Sequence, residues 1–330
     1  MNDSTTSWPY RLWPGLIAFL LPIVFALLVL PYNVDHLLAH ACWKAVVTGS
    51  IIVENYERVA HDLEARFLYA TINAFGQLAA VSSMLLSAFV LQRLFGWRTG
   101  ILVLVAAASF GVSVSYFASG QQDFIRTRIL DDTLQMMQDN RLTFGDTVER
   151  LRSAIQLNMS LGLAGTAALL AGFGAVAVRA SPQNLEDGDF VARELRLRLQ
   201  YLTLLTLAGA VILVLLVAAN KAALAWPQGM MKPEAAKAYR ALASAVSTHW
   251  GGLGSGILLC GLVPALISIK ADIARAAAIH RPDYAAQEAW VKANALEFAP
   301  VAMLSAALTT AAPLFAGPAI DIVKGLLGSG

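Results

Sequence analysis

Six long apolar blocks divide this chain, and they restrict its fold more than any other feature. They run Trp13 to Tyr32, Phe67 to Leu91, Gly100 to Ala118, Asn158 to Val178, Tyr201 to Ala219 and Trp250 to Ile269. A helix needs about 20 consecutive apolar residues to cross the hydrocarbon of a bilayer. Backbone amides find no water there, so a spanning segment of this kind has to be helical. The expectation is an all-α fold, a polytopic transmembrane helical bundle of about six spans. Hydrophobic residues make up 57% of the chain and charged ones 14%, against roughly 25% charged in a soluble protein.

The first block has to be told apart from a cleaved leader. Ala39-His40-Ala41 has the small-x-small form of a cleavage site, but the apolar run already ends at Pro31. Signal cleavage follows the apolar run closely, and Trp13 and Tyr32 flank the block as interfacial aromatics do. The block reads as a retained span. A seventh segment, Phe298 to Ile320, is long enough to cross but holds Pro300, Pro313 and Pro318. Its stripe of Val301, Leu304, Leu308, Ala311 and Phe315 fits a half-buried helix better than a lipid-embedded one.

Short loops rich in arginine and lysine stay in the cytoplasm. Arg93 and Arg98 follow the second block; Arg179, Arg193, Arg196 and Arg198 follow the fourth; Lys270, Arg275 and Arg281 follow the sixth. The opposite connections dilute their bases with acids, among them Asp35, Glu54, Glu57, Asp123, Asp131 and Glu149. This places the N-terminus in the cytoplasm of a bacterial inner membrane. Residues 1–270 form the bundle, with external helical connections at 33–66, 119–157 and 220–249, and residues 271–330 form cytoplasmic helices. Tyr56 to Arg66 lacks Gly and Pro and can run into the second block as one helix, while Pro233 suits a first helical turn. The spans thereby extend into an external cap.

The span centres hold no ionisable groups, which argues against a pump or a proton-coupled transporter. Their polar exceptions are Asn73 and Gln77, one turn apart on the second span, placed to bridge helices by hydrogen bonds. Small residues recur every fourth position at Ala107, Gly111 and Ser115, at Ala164, Ala168 and Gly172, and at Gly252, Gly256 and Cys260. Such faces let helix backbones approach closely, within one chain or between subunits.

His36 and His40 stand at i and i+4, the spacing of two metal ligands on one helix face, with Cys42 or His61 as a possible third. No Glu lies between them, so they do not make a zinc-protease motif. The chain has no Gly-x-Ser-x-Gly elbow and no dinucleotide fingerprint. Its net charge of +2 and scattered bases exclude a nucleic-acid partner. The reading that results is a non-enzymatic membrane protein without a cofactor, a sensor, scaffold or effector subunit. Its partners are membrane lipid, copies of itself, or other membrane or cytoplasmic proteins. An oligomeric pore or transport subunit is the alternative, and a metal- or haem-binding protein using His36 and His40 is the third.

Overall fold

The computed structural model describes residues 15, 17–19, 56–120, 135, 147–178, 188–225, 227–228, 231, 233–281 and 283–297, and these are almost entirely helical. The helices are α1 (Tyr56–Phe95), α2 (Trp97–Gly120), α3 (Thr147–Ala177), α4 (Gly188–Ala225), α5 (Pro233–His280) and α6 (Tyr284–Ala293). The first five are long and apolar enough to cross a membrane, so the chain is a multi-pass membrane protein with an all-α bundle. The block at 13–32 is described only at Gly15 and Ile17–Phe19, which are helical. The segment 298–320 lies outside the described residues, as do His36, His40 and Cys42.

Several helices outrun the bilayer. At 1.5 Å per residue the 40 residues of α1 reach roughly 60 Å and the 48 of α5 roughly 70 Å, about twice the hydrocarbon thickness. Tyr56 to Arg66 is continuous with the apolar part of α1, and α5 begins at Pro233. Pro264 sits inside α5, where it gives no backbone N–H to the helix.

Gly96 turns α1 into α2. Its φ of 83° is one that side-chain-bearing residues avoid, and its N–H donates to the Gln92 carbonyl at 2.8 Å. We call this end of the bundle the base. Also at the base are the end of α3, the start of α4 and the end of α5, since neighbouring helices alternate in direction.

The central helix is α3, which packs against α1, α2, α4 and α5. Its most apolar stretch is 67% buried, against 22% for α2. Small side chains make this possible. A Cβ at Gly165 would stand 3.0 Å from Ala80 Cα on α1. One at Gly172 would meet the Leu205 side chain of α4 at 2.9 Å, and one at Gly174 the Gly15 carbonyl oxygen at 2.9 Å. Around this pillar lies the main core, with Leu169, Phe173, Val176, Leu195, Leu202, Leu205, Ile269 and Ile273. A smaller core of Leu224, Met231, Tyr239, Ala243 and Val246 closes the α4–α5 connection at the far end.

One expectation is corrected here. Arg193, Arg196 and Arg198 are not loop residues, because α4 already begins at Gly188. The polar start of α4 is held in helix by the apolar residues interleaved with it, Val191, Ala192, Leu195 and Leu199, all buried.

Candidate functional site

At the base the bundle encloses a charge pair. Arg198 on α4 is 2% exposed and Asp272 on α5 is 0% exposed. The Arg198 Nη1 donates to Asp272 Oδ2 at 2.8 Å, and its Nε donates to the carbonyl oxygen of Val176 at 2.9 Å. Ser268 Oγ donates to the carbonyl oxygen of Ala177 at 2.6 Å. Val176 and Ala177 are the last residues of α3, whose terminal carbonyls have no partner within their own helix. Two neighbouring helices therefore cap the third, and the guanidinium stands at the negative end of its dipole. Arg275 Nη1 lies 3.5 Å from the other carboxylate oxygen, Asp272 Oδ1. The Arg198 Nη2 is buried without an acceptor among the described residues.

The pair lies beyond the span centres, in which the sequence shows no ionisable group. Arg198 and Asp272 fall just outside the apolar blocks at 201–219 and 250–269, yet helix continuation carries both into the core. Each carried a signal in the sequence. Val191, Leu195, Arg198, Leu202 and Leu205 follow one helical stripe, as do Ala265, Ile269, Asp272 and Ala276. Every other member of the two stripes is a buried apolar residue. Glu297, the carboxylate nearest the seventh segment, is exposed instead.

Outside the pair, α6 folds against α5 at the base. Trp290 stacks on His280, with ring centroids 5.9 Å apart and planes at 28°. A Cβ at Gly188 would stand 3.3 Å from that imidazole, so the residue that starts α4 leaves room for it. Arg196 donates twice to the carbonyl oxygen of Asn294, from Nη2 at 2.6 Å and Nε at 3.0 Å. Leu296 is buried in the main core, the cluster that also holds Leu195, Leu199, Ile269 and Ile273.

A second polar layer joins α1, α2 and α3 nearer the far end. Ser115 and Ser160 share a hydrogen bond of 3.0 Å, and Gln156 Nε2 donates to Ser115 Oγ at 3.3 Å. Asn73 is buried, Gln77 is half-buried, and between them a Cβ at Gly76 would stand 3.5 Å from Asn158 Oδ1. Among the described residues the Asn73 Oδ1 accepts no hydrogen bond. Side-chain hydrogen bonds in this layer join α2 to α3, through Ser115, Ser160 and Gln156.

The small-residue faces divide. Ala164 and Ala168 are buried, and a Cβ at Gly111 would come within 2.7 Å of the Ala164 backbone. Gly172 meets Leu205 and Ser87. Among the described residues Gly252 on α5 makes no close intrachain contact: it is exposed, with none of them within 4 Å of where a Cβ would stand. Gly256 and Cys260 are half-buried. The close approaches of α5 come from Gly254, against Leu213, and from Gly261, against Leu170, Phe173 and the Ala18 carbonyl. They lie a helix face away from Gly252, because α4 and α3 both sit on the Gly254 side. Among the described residues no three His, Cys, Asp or Glu side chains group as metal ligands would.

No protein family model, no curated protein and no solved structure matches the chain.

Proposed function

We propose that the chain is a non-enzymatic subunit of a bacterial inner membrane, a sensor, scaffold or effector that works through helix packing and protein partners. One observation carries this reading. At the base Arg198 binds Asp272 on α5 and the Val176 carbonyl at the end of α3, so the buried charges tie three helices together. Intramembrane charges in pumps and coupled transporters line an ion or substrate path. Here the ionic contacts of the carboxylate, to Arg198 and Arg275, come from the protein itself.

The base faces the cytoplasm in this reading, since Arg93, Arg98, Arg193, Arg275, Arg281 and Lys292 surround it. Single cysteines test this. One replacing Arg98 should react with a membrane-impermeant maleimide only after cells are opened, whereas one replacing Lys237, at the far end of α5, should react in intact cells. The reverse pattern overturns the orientation.

The functional reading predicts that the purified protein, sealed into liposomes with a pH-sensitive dye inside, passes no more protons or ions than empty liposomes. A photo-crosslinking residue at an exposed base position such as Glu288 should give a discrete adduct with another protein in intact cells. Solute-dependent flux that a single substitution abolishes would overturn the proposal. The second reading, an oligomeric pore or transport subunit, is favoured by Gly252, whose open face on α5 can seat another copy of the chain.

A further inference from the structure

Helix α6 is held to the base in an unusual way. None of its ten residues is fully buried; Trp290 and Val291 pack half-buried against the main core. Its N-cap, Asp283, makes no side-chain cap bond. Its other attachments are the Trp290–His280 stack, the Arg196 bonds to Asn294, and Leu296.

The C-terminal end is a Schellman turn. Leu296 N–H donates to the Val291 carbonyl at 3.0 Å and Ala295 N–H to the Lys292 carbonyl at 3.0 Å. The residue at the left-handed position of such a turn is usually glycine. Here it is Ala295, with φ at 51°, the one non-glycine residue with positive φ among the described residues. Its Cβ crowds the following carbonyl, so the turn is strained. Leu296, the next residue, is buried in the core cluster that also holds Leu195 and Leu199, which flank Arg198, and Ile269 and Ile273, which flank Asp272.

We propose that residues 284–296 are a clasp that opens as a unit while the bundle stays folded, and that its opening governs water access to the Arg198–Asp272 pair. A segment with no fully buried helical residue and a strained end opens locally at lower cost than the main core, which opens only on global unfolding. When Leu296 withdraws, the cluster whose members flank the pair loses one of its buried residues, and water gains a way toward the charges that hold α3, α4 and α5 together. The clasp is thus a regulatory element built into the base, whichever partner the base meets.

Hydrogen exchange of the full chain in lipid nanodiscs tests this. In the parent, amides of 288–293 should exchange together at least a hundredfold faster than those of 199–205 in α4. Ala295→Gly should slow the clasp about fivefold, the ratio that roughly 1 kcal/mol of relieved left-handed strain represents. Arg196→Ala should speed it about tenfold or more and should raise exchange at 273–277, leaving 253–262 unchanged. The proposal is overturned if the clasp exchanges in step with the α4 core, or if Ala295→Gly fails to slow it. Arg196→Ala speeding the clasp without touching 273–277 would also overturn it, by removing the link to the pair.

Discussion

Replacing Asp272 by alanine is expected to lower the stability of the bundle by about 3–5 kcal/mol, because it leaves Arg198 charged, buried and unpaired. The guanidinium cannot reach water without breaking its bond to Val176, and that bond caps α3. The damage should spread to α3, α4 and α5 together. The double replacement Arg198→Met with Asp272→Leu should recover most of the loss, since well-packed apolar residues often match or exceed a buried ion pair. Thermal unfolding of the three proteins in one fixed detergent decides it. If Asp272→Ala melts with the parent, the pair does not hold the helices.

A valine at Gly111 should cost more than the about 1–3 kcal/mol typical of overpacking. Its Cβ would meet the Leu163 carbonyl oxygen at 2.5 Å and the Ala164 N and Cα at 2.7 Å. These are backbone atoms of the central pillar and cannot rotate aside, so α2 has to move away from α3. The same change at Gly252 should leave the melting of the isolated chain nearly unaltered, because none of the described residues stands within 4 Å. If Gly252→Val dissociates an assembly at unchanged melting, that face meets another subunit. Equal losses at the two glycines would show that the intrachain contacts are not those described.

The spans at residues 67–269 were legible because lipid imposes one strong rule, a run of apolar residues about 20 long. The close approach at Gly111 was legible for a similar reason, since small residues at four-residue spacing mark one helix face. Gly252 shows the limit of that rule: spacing says that a face is smooth, not what lies against it. The base was the least legible part. Polar residues after an apolar block look like a loop when each is counted by charge alone. Only the stripe through Val191, Leu195, Leu202 and Leu205 shows that Arg198 belongs inside, and it does not say that a carboxylate 74 residues later answers it. The turn at Ala295 left no trace either, because alanine there breaks the usual glycine preference.

That separation of 74 residues also bears on how the protein is made. Chains emerge from the ribosome at about 5–20 residues per second, so Arg198 is synthesised roughly 4–15 s before Asp272. During that interval α1, α2 and α3 are complete and their mutual glycine contacts can form. Arg198, however, has no counter-charge, and a lone guanidinium is expensive to place below the membrane surface. It stays near the aqueous boundary until the end of α5 arrives. Only a finished chain can then draw the start of α4 inward against the end of α3. A protein truncated before Asp272 would expose an uncapped α3 terminus and a solvated arginine at the membrane surface, features by which quality-control proteases could tell it from the completed fold.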